Sequence, residues 1–349
     1  MKVLILGVNG FIGHSLTARI LKDTDWEVFG MDLGSDRISE YLDHKRFRFL
    51  EGDISINREW IEYHIKKCDA VLPLVAIATP KTYVDAPLRV FELDFEENLR
   101  VVRQALKYDR RIIFPSTSEV YGMSPDTPFN EETSNLVLGP ICKQRWIYSC
   151  AKQLLDRVIW AYGRHAHLRF TLFRPFNWIG PNLDDIDAPK EGSSRVVTQF
   201  LGHLLRNEPI LLVDGGRQRR SFTYIEDGVE ALMRILENKD GCADGQIFNL
   251  GNPRNDCSMR ELAELMISVM EKFKEFKGIR KRAVLRDVAA VDYYGKDYQD
   301  IQTRVPDITR ARTKLGWEPR VNLRDALRRT VAYYVARQSK KVRSKNDEQ

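Results

Sequence analysis

Three glycines near the start limit this chain more than any other feature. Gly7-Val8-Asn9-Gly10-Phe11-Ile12-Gly13 lies between Lys2–Gly7, a short apolar run that reads as a strand, and Phe11–Leu21, whose apolar residues fall at helical spacing. In that position each glycine has a task. Gly7 permits the tight turn, Gly10 lets the backbone approach a pyrophosphate, and Gly13 lets the helix lie on the sheet. The helix N-terminus then faces the phosphates. A second strand, Glu27–Asp32, ends in a carboxylate 25 residues after Gly7. An acid there hydrogen-bonds both ribose hydroxyls and repels a 2′-phosphate, so the pattern selects NAD over NADP. Phe11 and Ile12 belong to the same turn. Asp53-Ile54, after a third strand Phe47–Leu50, is placed to edge the adenine.

The rest of the first half repeats the rhythm. Strands are expected at Ala70–Val75, Arg111–Thr117 and Phe170–Arg174. Helices are expected at Leu93–Tyr108, with Leu93, Leu99, Val102 and Leu106 inward, and at Ile147–Tyr162. Strands alternating with helices imply a parallel sheet covered on both faces. The expected fold class is therefore α/β: a doubly wound Rossmann sheet with a smaller, interleaved α/β substrate domain. Beyond Pro175 the pattern changes to a Gly180–Gly192 loop, helices at Val196–Leu205, Ile225–Leu236, Met259–Phe273 and Leu323–Ala336, and strands at Ile210–Val213 and Ile247–Leu250. The domain expectation is 1–178 plus about 224–252 for the nucleotide, and about 179–223 plus 253–338 for the substrate, with 339–349 a disordered tail.

Composition enters as exclusion. With 43% hydrophobic and 30% charged residues in 349, a disordered, collagen-like or coiled-coil chain is ruled out. No run of 18 apolar residues exists, so no membrane span is expected. The start, Met1–Gly7, is too short an apolar run for a signal peptide. The net charge is +6; Arg337–Gln349 holds five Lys/Arg against two Asp/Glu, a surplus of three. That reads as a solvated end, not a nucleic-acid site. The five cysteines (Cys68, Cys142, Cys150, Cys242, Cys257) are odd in number and form no CxxC or Cys/His cluster. Free thiols in a cytoplasmic protein with no metal are expected.

A second motif carries chemistry. Tyr148-Ser149-Cys150-Ala151-Lys152 places a phenol and an ammonium on one helix face. The ammonium, with a positive nicotinamide, is expected to lower the phenol's pKa from its reference of about 10. The phenolate then takes a hydroxyl proton while hydride leaves to NAD.

Together with Ser116-Thr117-Ser118-Glu119-Val120-Tyr121-Gly122, these residues resemble the extended short-chain dehydrogenase/reductase family that works on nucleotide sugars, over roughly 1–335. The resemblance implies a Thr117/Tyr148/Lys152 triad and adds Ala76 to the cofactor side. The 4,6-dehydratases of that family carry Asp-Glu after the Thr; here the pair is Ser118-Glu119, which looks like the branch that decarboxylates UDP-glucuronate. Three longer strings, Lys143–Tyr148, Arg174–Pro181 and Tyr293–Tyr298, resemble the decarboxylase domain of the bifunctional polymyxin-resistance enzyme and plant UDP-apiose/UDP-xylose synthase.

The resemblance implies C4 oxidation of UDP-glucuronate by NAD, then loss of carbon dioxide to give a UDP-4-keto-pentose. Re-reduction to UDP-xylose or UDP-apiose, or another epimerase or dehydratase activity, stays open. Its implied catalytic residues are Thr117, Ser118, Glu119, Tyr148, Lys152 and Arg304, with Arg304 seating the sugar carboxylate and Glu119 moving a proton. The implied substrate contacts are Ala78, Tyr83, Arg145, Asn177, Arg195, Arg220 and Tyr298, with Arg195 and Arg220 on the diphosphate. Leu211 stands where the relative has a lysine. The resemblance also implies a homodimer through helices Leu93–Tyr108 and Ile147–Tyr162, with Val158, Trp160 and Tyr162 as its apolar patch.

Overall fold

The computed structural model describes residues 1–186 and 195–347, with side chains through 338. Residues 187–192 of the expected Gly180–Gly192 loop, and 348–349 of the expected tail, lie outside the described residues.

The apolar runs of the first half form one parallel sheet. Its strands are β1 (Lys2–Leu6), β2 (Glu27–Asp32), β3 (Phe47–Glu51), β4 (Ala70–Pro73), β5 (Arg111–Pro115) and β6 (Phe170–Pro175), with Gln246–Leu250 seventh. The order is Gln246–Leu250, β6, β5, β4, β1, β2, β3. All pairings are parallel, with Leu4 opposite both Phe29 and Val71. β4 and β5 are buried along their whole length, because helices cover both faces. The chain leaves β1 toward β2 and β3, then returns to β4 on β1's other side. That reversal opens a crevice at the carboxyl ends of β1 and β4.

Helix Phe11–Asp23 follows the glycine turn and packs on helix Ile225–Glu237. Helix Trp146–Ala166 carries the phenol and ammonium. The expected helix Leu93–Tyr108 differs. Glu92–Glu97 is a π-turn, and a regular helix runs only from Asn98 to Lys107. The wider turn rotates the helix phase. Asp94, Asn98, Val101, Val102 and Ala105 face inward, while Leu93, Leu99 and Leu106 are only partly buried.

Three small sheets build the other side of the crevice. Ile210–Val213 pairs with Leu285–Val288, and Trp178–Ile179 with Thr223–Tyr224. Arg219–Ser221 pairs with Asp256–Ser258 and Thr303–Arg304. One buried cluster joins this side to the main sheet through Ile5, Phe173, Trp178, Leu201, Leu232 and Trp317. The last helix runs from Leu323 to Asp347, correcting the expected disorder of the tail. Its end is rich in Lys and Arg, which are good helix formers that need no core when solvated.

Candidate active site

A cleft with a cavity volume of about 430 Å³ opens at the β1/β4 switch. Gly7, Gly10, Phe11, Ile12 and Gly13 form one wall. Gly7 has φ +87°, which favours glycine, and a Cβ there would lie 3.1 Å from the Leu74 carbonyl carbon and the Val75 nitrogen. A Cβ on Gly13 would lie 2.3 Å from the Gly7 carbonyl oxygen. The helix therefore rests on the turn as closely as a glycine allows. The Asp32 carboxylate accepts the backbone N–H of Asn9 and of Leu33, each at 2.8 Å. Burial raises its pKa from the ordinary value. An open turn without side chains, a helix N-terminus and an acid at the end of β2 fit a dinucleotide.

Two expected adenine contacts stand apart from the cleft wall. Ile54 is buried with Leu6, Met31 and Ile61, since an apolar side chain gains more from the core. Asp53 accepts hydrogen bonds from the Ser55 N–H at 2.7 Å and hydroxyl at 2.6 Å, closing its own turn. Asp32 also lies beyond the wall, while Ala76 and Ala78 line it.

Tyr148, Lys152, Thr117 and Ser118 come together on the cleft floor. Thr117 caps the short turn Ser118–Tyr121, its hydroxyl accepting the Glu119 N–H at 3.2 Å, and it hydrogen-bonds Tyr148. Tyr83 stacks on Tyr148 with ring centroids 4.7 Å apart. Lys152 donates to the Pro115 carbonyl at 3.3 Å, and its Nζ lies 5.9 Å from the Tyr148 ring centroid. The expected lowering of the phenol's pKa counts a bound positive nicotinamide; the chain's own groups act the other way. Burial, then Asp94, then Glu119 raise it, against Thr117 and Arg195. Burial pushes Lys152 down. Nothing in the chain's own charges outweighs desolvation, so a positive ligand ring must do so.

Beyond the phenol lies a set of arginines. Glu119 pairs with Arg145 at 3.1 Å and Arg304 at 3.2 Å, and Arg220 pairs with Asp300 at 2.9 Å. Burial alone would raise Glu119, but Arg145, Arg304 and Arg220 outweigh it and hold its pKa below the ordinary value. Glu119 thus anchors both Arg145 and Arg304 as their carboxylate partner. Arg220 is lowered to about 10 by burial and by Arg304. Arg145 is fully buried and behind the cleft wall; it stacks on Trp146 at 4.5 Å and backs Glu119.

Asn177 lines the cleft, and its amide donates to the Ser221 carbonyl at 3.1 Å, which holds the loop. Arg195 donates to the Leu183 carbonyl at 2.8 Å and lies 5.6 Å over the Phe11 ring. Tyr298 stacks on Tyr294 at 4.0 Å, and Leu211 lines the same region.

Sequence reasoning missed Asp94 and Asp300. Asp94 is fully buried and 3.6 Å from Lys152. Its one signal was an acid four residues before an amide, Asn98, inside an apolar pattern. Asp300 gave none, because its partner is 80 residues away. Among the described residues no cluster of three His, Cys, Asp or Glu is placed to hold a metal, and no helix is long and apolar enough to cross a membrane. All five cysteines are unpaired.

The NAD dependent epimerase/dehydratase family matches residues 3–251. PbgP3 protein from Burkholderia pseudomallei is 58% identical, with 95% of this chain and 96% of that chain covered and a TM-score of 0.86. UDP-glucose 4-epimerase from Thermotoga maritima, solved with UDP-glucose, is 26% identical over 97% of this chain and 100% of that chain, at a TM-score of 0.79. UDP-glucuronic acid 4-epimerase from Bacillus cereus, solved with UDP-glucuronic acid and NAD, shares the fold at 22% identity and a TM-score of 0.79, over 95% and 98% of the two chains.

Proposed function

The chain belongs to the NAD-dependent epimerase/dehydratase family, its cofactor is NAD, and on that premise we propose that it oxidises UDP-glucuronate at C4 and releases carbon dioxide, giving a UDP-4-keto-pentose. The observation that carries the substrate is the charge beside the phenol. Arg145, Arg304 and Arg220 face only Glu119 and Asp300 in their ion pairs, so the buried cluster holds one surplus cation. Arg304 reaches the cleft wall, and its Nε has no hydrogen-bond partner. A sugar carboxylate in the cleft balances that charge. The UDP-glucose bound by the Thermotoga relative supports a UDP-sugar.

NAD, when bound, supplies the hydride acceptor. It would lie on the glycine turn, with its adenosine end toward Asp32, Asp53 and Ile54. Tyr148 takes the C4 hydroxyl proton, oriented by Thr117, and the ammonium of Lys152 stabilises the phenolate. Ser118 lies beside Thr117 on the same floor. Oxidation leaves a β-keto acid, whose carbon dioxide departs as its electrons delocalise into the ketone. Arg304 seats the carboxylate, and Glu119 holds Arg304. The C5 proton comes through the guanidinium or a water on it, because Glu119 is ionised. Arg195 and Arg220 take the diphosphate, Asn177 fixes the loop beside it, Ala78 and Tyr83 touch the sugar, and Tyr298 with Leu211 the uridine. A homodimer through helix Trp146–Ala166 rests on the resemblance; of its expected patch Trp160 is exposed, while Val158 and Tyr162 are partly buried.

The test is incubation with UDP-glucuronate and NAD, following carbon dioxide, NADH and the pentose together. Equal amounts of carbon dioxide and NADH are expected. Carbon dioxide without NADH indicates re-reduction to UDP-xylose or UDP-apiose. A UDP-sugar epimer without carbon dioxide overturns the decarboxylation.

A further inference from the structure

The floor beneath Lys152 holds a buried acid that the chemistry above does not use. Asp94 and Lys152 are 0% and 1% exposed. Asp94 Oδ1 lies 3.6 Å from the Lys152 Nζ and has no hydrogen-bond partner. Its Oδ2 accepts the backbone N–H of Ile77 at 2.9 Å, on the loop that brings Ala76 and Ala78 to the cleft. The π-turn Glu92–Glu97 turns this carboxylate inward. One side chain thus ties the loop after β4 to the ammonium on helix Trp146–Ala166.

A buried ammonium without a counter-charge tends to lose its proton. Two acids face Lys152: Asp94 and Asp156. Asp156 is already engaged, with Arg174 at 3.0 Å and the Ser116 hydroxyl at 2.7 Å. Asp94 is paired with Lys152 alone. The charges that face Tyr148 are Asp94 and Glu119, which oppose its ionisation, and Arg195, which favours it; Thr117 hydrogen-bonds it and Tyr83 covers its ring. Asp94 therefore acts on both members of the pair, in opposite senses.

We propose that Asp94 is a positioning residue of the Tyr148–Lys152 pair: its carboxylate, fixed by the Ile77 N–H, holds the Lys152 ammonium charged and in place from beneath. This rests on the reading of Tyr148 as proton acceptor, but not on the identity of the sugar.

The test needs no substrate. The Lys152 side chain is titrated by NMR of the ¹³C-lysine-labelled, NAD-loaded protein, and loss of its signal in Lys152→Arg identifies it. Asp94→Asn keeps the size and the acceptor for the Ile77 N–H but removes the charge. Its Lys152 titration is expected about one pH unit lower than wild type. Asp94→Glu keeps the charge and is expected to titrate near wild type, and it serves if the Asn variant fails to fold. A wild-type or upward-shifted midpoint in Asp94→Asn, or a downward shift in Asp94→Glu, overturns the proposal. Turnover by Tyr148→Phe overturns the reading of Tyr148 instead, and leaves the midpoint comparison to judge Asp94.

Discussion

The two walls of the cleft are built in opposite ways. The cofactor wall is one short turn, from Gly7 to Gly13, shaped by backbone and by the side chains its glycines lack. The sugar wall is made of charged side chains from three distant places, Glu119, Arg220 and the segment carrying Asp300 and Arg304, held in register by ion pairs. The first is shaped by sterics, so its geometry does not depend on charge. The second is shaped by electrostatics in a dry site, where an unpaired member is costly. The difference teaches that a lesion in one wall should leave the other standing.

The sharpest break is at the phenol between the walls. Tyr148→Phe removes only the proton acceptor, so turnover should fall by about 10²–10⁴-fold while NAD and UDP-sugar still bind; steady-state rates beside binding titrations check this. Arg304→Met comes next. Loss of a charge-assisted contact is worth roughly 1.5–3 kcal/mol, so kcat/KM for UDP-glucuronate should drop one to two decades with NAD affinity unchanged. An equal loss of NAD affinity would mean the walls are coupled.

Gly13→Ala attacks the other wall. The added methyl meets the Gly7 oxygen, and overpacking of this kind costs roughly 1–3 kcal/mol. Thermal stability and NAD affinity should both fall, and saturating NAD should restore the KM for the sugar. If it does not, the turn also shapes the sugar site.

The smallest effect is one of pH. Glu119 has a depressed pKa, so its anchoring of Arg304 is present above the ordinary carboxylate pKa and is lost only as pH falls through the folded value. Glu119→Gln should therefore lower kcat/KM severalfold and by the same factor at pH 6 and pH 8, about the difference between an ionic and a neutral hydrogen bond. A loss that grows between those two pH values would mark Glu119 as a titrating proton carrier.

The sequence by itself determined whatever is local or periodic. Glycines three residues apart, an acid ending the next strand, and Tyr148 four before Lys152 are read directly, because the chain brings those groups together by strand and helix geometry alone. The α/β alternation was legible for the same reason. Tertiary structure decided the rest. It turned Arg145 inward behind Glu119, set Asp300 against Arg220 across 80 residues, and through a π-turn buried Asp94 under Lys152. It also set the burial and neighbouring charges that raise Tyr148 and depress Glu119. Residue order does not carry these, since a charge's effect depends on distance and on how much water has been removed around it, and both are settled only when the chain is packed.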